Sequence, residues 1–258
     1  RNLLFSARIA VGTTTAITAR QEILQLRPFS LAIVDEASQI LEPHLLGILS
    51  AKCGEANSVQ RFFLIGDHKQ LPAVVQQTAE DSEVVQPLLR AIGLTNCRNS
   101  LFERLLRISP PELVERFTRQ GRMHREVAQF ACDHFYDGLL GTIPLPHQEK
   151  PLCFAVHAER GMEALLATRR MTFLDVPSPQ HSPSAKVNLP EAELIAEAVV
   201  SVYRLYQQNR LPFDVAETVG VIVPYRNQIA VVRREIERQL GSSLLSDLTI
   251  DTVERYQG

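Results

Sequence analysis

The chain predicts an α/β fold built as two successive units with parallel sheets, and three observations carry that prediction. Strand-like apolar runs alternate with helix-like runs along the 258 residues, the pattern of parallel strands joined by right-handed crossovers. Two of the apolar runs, residues 31–34 and 61–65, end abruptly in polar groups. Such endings bring those groups to the carboxyl edge of a sheet, where α/β folds place ligands. Finally, Ile108-Ser109-Pro110-Pro111 interrupts the pattern near the middle, because consecutive prolines end the preceding helix and stiffen the connection. A length of 258 residues suits about two domains, and the break divides them as 1–109 and 110–258.

The elements follow in order. Strands are expected at 8–11, 31–34, 61–65, 171–176, 219–223 and 248–251, where apolar residues cluster between turn-forming ones. Helices are expected at 100–107, 125–135, 190–208 and 226–240. The helix from Pro190 carries proline in its first turn together with Glu191 and Glu193, which match the positive end of the helix dipole. Its Leu194, Ala198, Val202 and Leu205 recur at helical spacing and are expected to face a core. Residues 177–183 read as a surface loop without recognisable chemistry, and no internal repeat is evident.

Composition narrows the classes. Hydrophobic residues make up 45% of the chain, enough for sizeable cores. The net charge of −2, from 27 basic and 29 acidic residues, provides no overall basic field, so any groove for nucleic acid must be local. Cys53, Cys97, Cys132 and Cys153 lack C-x-x-C spacing, which argues against a zinc ribbon or an iron–sulfur cluster in this stretch. They are expected to be reduced, buried thiols of an intracellular protein. No apolar run approaches the roughly 18 residues of a membrane span, and the first residues do not form a signal peptide.

The chemistry concentrates in two segments. Leu31-Ala32-Ile33-Val34-Asp35-Glu36 reads as a buried parallel strand delivering paired carboxylates to a sheet edge. In a P-loop ATPase such an aspartate helps to hold Mg²⁺, and the adjacent carboxylate can take the proton of the attacking water. The same pair also suits capping of the helix that starts near Pro43. Residues 61–74, RFFLIGDHKQLPAV, repeat the design. Gly66 permits a tight turn there, and Asp67 and Gln70 come to the edge that carries Asp35 and Glu36.

DEASQ at 35–39 and GDHKQLPAV at 66–74 resemble motifs II and III of superfamily 1 helicases, in particular subgroup 1B, the relatives of the nonsense-mediated-decay RNA helicase and of the Okazaki-fragment helicase-nuclease. Further matches follow in order. VGTTTA at 11–16 resembles motif Ic, SLFERLL at 100–106 the end of the first motor domain, and RMHREVAQF at 122–130 motif IV. VGVIVPYRNQ at 219–228 and TIDTVERYQG at 249–258 resemble the segments running through motif V. The resemblance covers essentially the whole chain and implies two tandem RecA-like (P-loop NTPase) domains. The first is expected to be incomplete and the second truncated at its C-terminus. No G-x-x-x-x-G-K-[ST] occurs in the sequence. The family pattern places that loop before Arg1 and the motif VI arginine after Gly258, so the stretch reads as an internal piece that alone binds ATP weakly and hydrolyses little.

The resemblance also implies roles. ATP and Mg²⁺ bind between the two domains, with Asp35 on the metal, Glu36 as general base, and Gln39 and Gln70 near the γ-phosphate and attacking water, Asp67 beside them. Arg122 reaches the γ-phosphate from the second domain and offsets charge developing in phosphoryl transfer; a surface ion pair at the start of the helix from Arg125 is the plainer reading. Relatives carry Gln-Tyr-Arg-Met-His, whose aromatic packs on adenine, where this chain has Gln120-Gly121-Arg122-Met123-His124. Either another side chain covers the base or nucleotide selectivity is relaxed. His124 is expected to hold the loop.

Single-stranded nucleic acid, DNA or RNA, is the implied partner, met by Thr13, Thr14 and Thr15 in the first domain and by Tyr225, Arg226, Thr252 and Gln257 in the second. Threonines after a strand equally suit helix capping. The implied activity is that of an ATP-dependent helicase or translocase moving 5′ to 3′ as a monomeric motor, intracellular, in the cytoplasm or in the nucleoid or nucleus, without a membrane partner. A non-catalytic single-strand clamp and an ATP-driven nucleoprotein remodeller are the alternatives.

Overall fold

The computed structural model describes residues 6–155, 161–176, 186–241 and 247–257. The loop expected at 177–183 and the terminal Gly258 lie outside them. The chain divides into two compact units, Arg1–Arg116 and Phe117–Gly258.

The first unit runs α1 (Thr14–Ala19), α2 (Glu22–Leu26), β1 (Ala32–Val34), a 3₁₀ turn (Ala37–Gln39), α3 (Glu42–Leu49), β2 (Lys52–Cys53), β3 (Ala56–Asn57), β4 (Phe62–Leu64), α4 (Pro87–Ala91) and α5 (Leu101–Ile108). β1 and β4 pair in parallel, Ala32 opposite Phe62 and Val34 opposite Leu64, as the two polar-ended apolar runs require. Leu24, Val34, Ala37, Leu45, Ile48, Val59 and Leu101 form the core, with Ala32, Phe62 and Leu64 packed against it. The strand expected to be buried is covered on one face only. Ile33 and Phe63, opposite one another, remain 63% and 57% exposed, because successive side chains point to opposite faces and only one face is covered. α5 starts at a capping box: Ser100 Oγ accepts from the Glu103 amide, and the Glu103 carboxylate accepts from the Ser100 amide, both at 3.1 Å.

The second unit contains β5 (Arg119–Gln120), α6 (Arg125–Phe135), β6 (Gly141–Thr142), α7 (Pro146–Glu149), α8 (Met162–Thr168), α9 (Leu189–Gln208), α10 (Val215–Thr218), β7 (Gly220–Val223), α11 (Arg226–Leu240), β8 (Thr249–Thr252) and α12 (Val253–Tyr256). β5 pairs with β6 and β7 with β8, all parallel. The β7–β8 ladder packs with α9 and α11 through Val221, Val223, Ile250, Ala196, Val199, Val232 and Ile236. Within α9 the buried residues are Ala192, Ala196, Val199, Val200, Ser201 and Leu205. Of the four positions expected in the core only Leu205 is buried, while Leu194, Ala198 and Val202 sit half-buried on the flank.

Two expected strands are absent. Residues 8–11 and 171–176 pair with no other strand among the described residues, and Ile9, Val11 and Phe173 are 80%, 92% and 90% exposed. An apolar run becomes a strand only where a neighbour takes its backbone hydrogen bonds. Of the cysteines, all free, only Cys132 is buried; Cys53 and Cys97 are half-buried and Cys153 is exposed. No helix of the described residues is long and apolar enough to cross a membrane.

Candidate functional site

In the first unit, parallel pairing of β1 with β4 brings two loops together at one sheet edge. The Ile65 amide donates to the Val34 carbonyl at 2.9 Å, and the Ala37 amide donates back to the Ile65 carbonyl at 2.7 Å. Ser38, buried in the 3₁₀ turn, then accepts a hydrogen bond at its Oγ from the Asp67 amide at 3.1 Å. The backbones approach so closely that a Cβ on Gly66 would lie 2.8 Å from the Ser38 nitrogen. Gly66 is absent from the residues with positive φ. The glycine is therefore required by proximity rather than by the tight turn expected of it.

Within this junction the acidic and amide side chains form two short pairs. Gln39 Nε2 donates to Glu36 Oε2 at 2.9 Å, and Gln70 Nε2 donates to Asp67 Oδ2 at 3.0 Å. Asp67 Oδ1 also accepts from the Lys69 amide at 2.9 Å, and Asp35 Oδ1 from the Glu36 amide at 3.0 Å. Asp35, Glu36 and Gln70 are exposed, whereas Gln39 and Asp67 are half-buried. Glu36 adopts φ 50°, ψ 38° in the left-handed region, a conformation that costs of order 1–3 kcal/mol in a residue other than glycine and that concentrates at functional sites. The plainer reading of these acids as caps fails for α3. Its N-cap is Leu41, which makes no side-chain cap bond, and its first-turn acid is Glu42.

Glu42 also takes part in a contact that sequence reasoning missed. Its buried carboxylate receives Arg104 Nε at 2.8 Å and Nη2 at 2.5 Å, while Arg104 Nη1 donates to the Ile92 carbonyl at 2.9 Å. This bidentate pair ties α3 to α5 behind the junction. Ser38 was likewise missed. Its bonding partner lies in the other loop, and no local pattern marks it.

In the second unit Arg122 is exposed on the turn between β5 and α6. Gln120 Oε1 accepts from the Arg122 and Met123 amides at 2.8 and 2.7 Å. His124 caps α6, its Nδ1 accepting from the Glu126 amide at 3.2 Å, in keeping with the structural role expected of it. Among the described residues Arg122 makes no ion pair with an acid of α6; Glu126 instead lies 4.0 Å from Arg170.

The expected nucleic-acid positions divide by environment. Thr13 Oγ1 caps α1 by accepting from the Ala16 amide at 3.1 Å. Thr15 is exposed and Thr14 half-buried in the first turn of that helix. Tyr225 and Arg226 are exposed at the start of α11, with Lys186 Nζ 5.7 Å above the Tyr225 ring. Buried Gln228 secures that start by exchanging two hydrogen bonds with the Asn188 backbone at 2.9 and 2.8 Å. Val223 and Thr252 stand opposite each other at the ends of β7 and β8, so Tyr225 and Thr252 share one sheet edge. Thr252 is only 7% exposed; a backbone hydrogen bond first, and then the Thr252 hydroxyl, hold the Glu254 carboxyl below its ordinary range. The Gln257 side-chain nitrogen is buried and without a hydrogen-bond partner.

Mg²⁺ keeps several waters and binds proteins through one or two carboxylates plus phosphate oxygens. The exposed Asp35, followed by Glu36, suits that demand. A cage of three or more acidic, histidine or cysteine ligands is absent among the described residues.

Comparison with known proteins agrees with this geometry. An AAA domain family matches residues 97–258, more than half of the chain, and a second AAA domain family matches residues 1–78. DNA polymerase alpha-associated DNA helicase A of Saccharomyces cerevisiae is 25% identical over 270 residues, spanning 100% of this chain and 37% of that protein. DNA replication ATP-dependent helicase/nuclease DNA2 of Mus musculus is 30% identical over 267 residues, spanning 96% of this chain and 22% of that protein. Helicase SEN1 of Saccharomyces cerevisiae is 26% identical over 234 residues, 89% of this chain and 9% of that protein. The chain thus spans well under half the length of each. Ordered motifs, parallel strand pairs and family matches together lead to one conclusion: the chain belongs to the AAA domain family, has a RecA-like P-loop fold and is related to the superfamily 1B helicases.

Proposed function

We propose that this chain forms motor-core segments of an ATP-dependent helicase that couples ATP hydrolysis to 5′ to 3′ movement on single-stranded nucleic acid. The observation that carries the reading is the loop junction, where Asp35, Glu36, Gln39, Asp67 and Gln70 meet at one sheet edge, tied through Ser38. Helicases among the relatives, two of them named for DNA, support the same class.

In this reading Asp35 holds Mg²⁺, whose charge would offset that of the phosphate oxygens when bound. Glu36 takes the proton of the attacking water, and its bond to Gln39 keeps the carboxylate aimed. Gln70, fixed by Asp67, orients the γ-phosphate side of the reaction. Arg122 supplies a guanidinium against the charge that develops as the phosphoryl group transfers. Tyr225 offers a ring for stacking, and Arg226, Thr13, Thr14 and Thr15 offer charge and hydroxyls to phosphates; buried Thr252 and half-buried Gln257 support that edge from beneath. Contacts of this kind make binding salt-dependent and nearly blind to sequence. An ATP-dependent action on nucleic acid suits an intracellular location.

The test is steady-state ATP hydrolysis by the full-length protein with and without single-stranded DNA or RNA, beside Glu36→Gln. Stimulation by one polynucleotide that vanishes in the variant supports the motor and names its track. Binding without stimulated hydrolysis would instead assign a clamp, and stimulated hydrolysis with protein displacement but no strand separation a remodeller.

A further inference from the structure

Gln148 is 0% exposed, although it belongs to a residue type found mostly at surfaces. Its amide is spent on the turn that carries Arg122. Nε2 donates to the Gln120 carbonyl at 3.0 Å and to the Met123 carbonyl at 2.9 Å, and Oε1 accepts from the Leu145 amide at 3.4 Å. Gln120 completes the set from the other side: its Nε2 also donates to the Met123 carbonyl at 3.0 Å, and its Oε1 receives the Arg122 and Met123 amides. The neighbouring His147 bonds the Gly121 carbonyl at 2.9 Å. Together these bonds occupy the backbone polar groups of the turn on its inner side and leave the exposed Arg122 side chain pointing outward.

We infer that Gln148 is a positioning residue for Arg122: a buried amide that registers the turn between β5 and α6, so that the arginine is presented in one orientation. A surface arginine on an unsupported turn would lose rotamer and backbone freedom on each encounter with phosphate, whereas a pre-set turn removes that cost before binding. Glutamine suits the task because one amide group supplies two donors and an acceptor in a fixed plane. Glutamate has the same shape and no donor, and would set its charge against two carbonyl oxygens.

The inference rests on the proposed role of Arg122, and the experiment separates the two. ATP hydrolysis stimulated by single-stranded nucleic acid is measured in the full-length protein for Arg122→Ala, Gln148→Glu, Gln148→Met and Gln148→Glu/Arg122→Ala, with a thermal melt of each. An arginine acting on the transferring phosphoryl is worth about 1,000-fold or more in kcat. Gln148→Glu and Gln148→Met are expected to lower kcat about tenfold or more while KM for ATP stays within about threefold. Added to Arg122→Ala, Gln148→Glu is expected to cost less than about threefold further, since two residues that act through one contact are not additive. Additive losses, unchanged kcat, or melts showing that both Gln148 variants unfold the second unit would each overturn the inference. An Arg122→Ala protein with full activity would sink the reading of Arg122; a dead Arg122→Ala beside a fully active Gln148→Glu would sink this inference alone.

Discussion

Gly66→Ala probes the loop junction with a single methyl group. The added Cβ would lie 2.8 Å from the Ser38 nitrogen, 3.1 Å from Ser38 Oγ and 3.3 Å from the Ala37 nitrogen, where ordinary contact begins at 3.4 Å, so the two loops must part by about 0.6 Å. The Ala37 to Ile65 bond, now 2.7 Å, survives such a separation. The Asp67 to Ser38 bond, now 3.1 Å, is carried past the distance at which a hydrogen bond holds. Overpacking costs about 1–3 kcal/mol and the lost hydrogen bond about 1 kcal/mol. The first unit is thus expected to lose about 2–4 kcal/mol, a fall of roughly 10 °C or more in its melting transition. Displacement of a catalytic group by about 1 Å costs about 100-fold, so the smaller shift here is expected to lower stimulated kcat about tenfold while leaving nucleic-acid affinity in place. Calorimetry and steady-state hydrolysis on the full-length protein measure both. A Gly66→Ala protein with wild-type melting and kcat within about twofold would show that the contact between the loops does not hold the carboxylates.

Arg104→Met leaves the Glu42 carboxylate buried without its partner and is expected to cost about 3–5 kcal/mol in denaturant unfolding, with Arg104→Met/Glu42→Leu recovering most of that loss; a single variant within about 1 kcal/mol of wild type would contradict the bidentate pair. At position 121 a Cβ meets only Leu145 Cδ1 at 3.4 Å and Ile143 Cδ1 at 3.6 Å, so Gly121→Tyr is expected to fold and to lower KM for ATP relative to GTP several-fold by restoring a stacking ring; an unchanged ratio of the two would show that no base lies beside this turn. Because the Glu254 carboxyl is held below its ordinary range by a backbone bond and by Thr252, its contribution is present above that range and is lost as pH falls through the folded-state value. The melting difference between wild type and Glu254→Gln is therefore expected to hold above the ordinary carboxylate range and to shrink as pH falls below it, and a difference that grew on acidification would reverse the assignment.

What the sequence makes legible here is what neighbours in the chain decide. The runs before Asp35 and Asp67, the helices at 125–135 and 226–240 and the polar groups at the strand ends follow from period and chain direction, and the parallel β1–β4 and β7–β8 pairs form where those runs lie. Illegible were contacts that close over distance. Arg104 reaches Glu42 across 62 positions, Ser38 reaches Asp67 across 29, and Gln148 reaches Gln120 across 28. The misread elements have the same origin: residues 8–11 and 171–176 have strand-like composition, yet a strand requires a partner that composition does not specify. Gly66 shows the boundary most clearly. Its place in the sequence suggests a tight turn, but its reason lies in the Ser38 backbone of another loop rather than in its own dihedral angles. The division has a functional side. Residues proposed to touch the nucleotide sit at strand ends and turns, where local pattern exposes them, while those that hold them in register, Ser38, Arg104 and Gln148, are buried polar groups at 4%, 9% and 0% exposure. A buried polar side chain is costly unless every partner is in place, and that cost makes such residues specific supports. Further determinants of the proposed activity are therefore expected among buried polar side chains that bond loop backbones, more than among exposed charges.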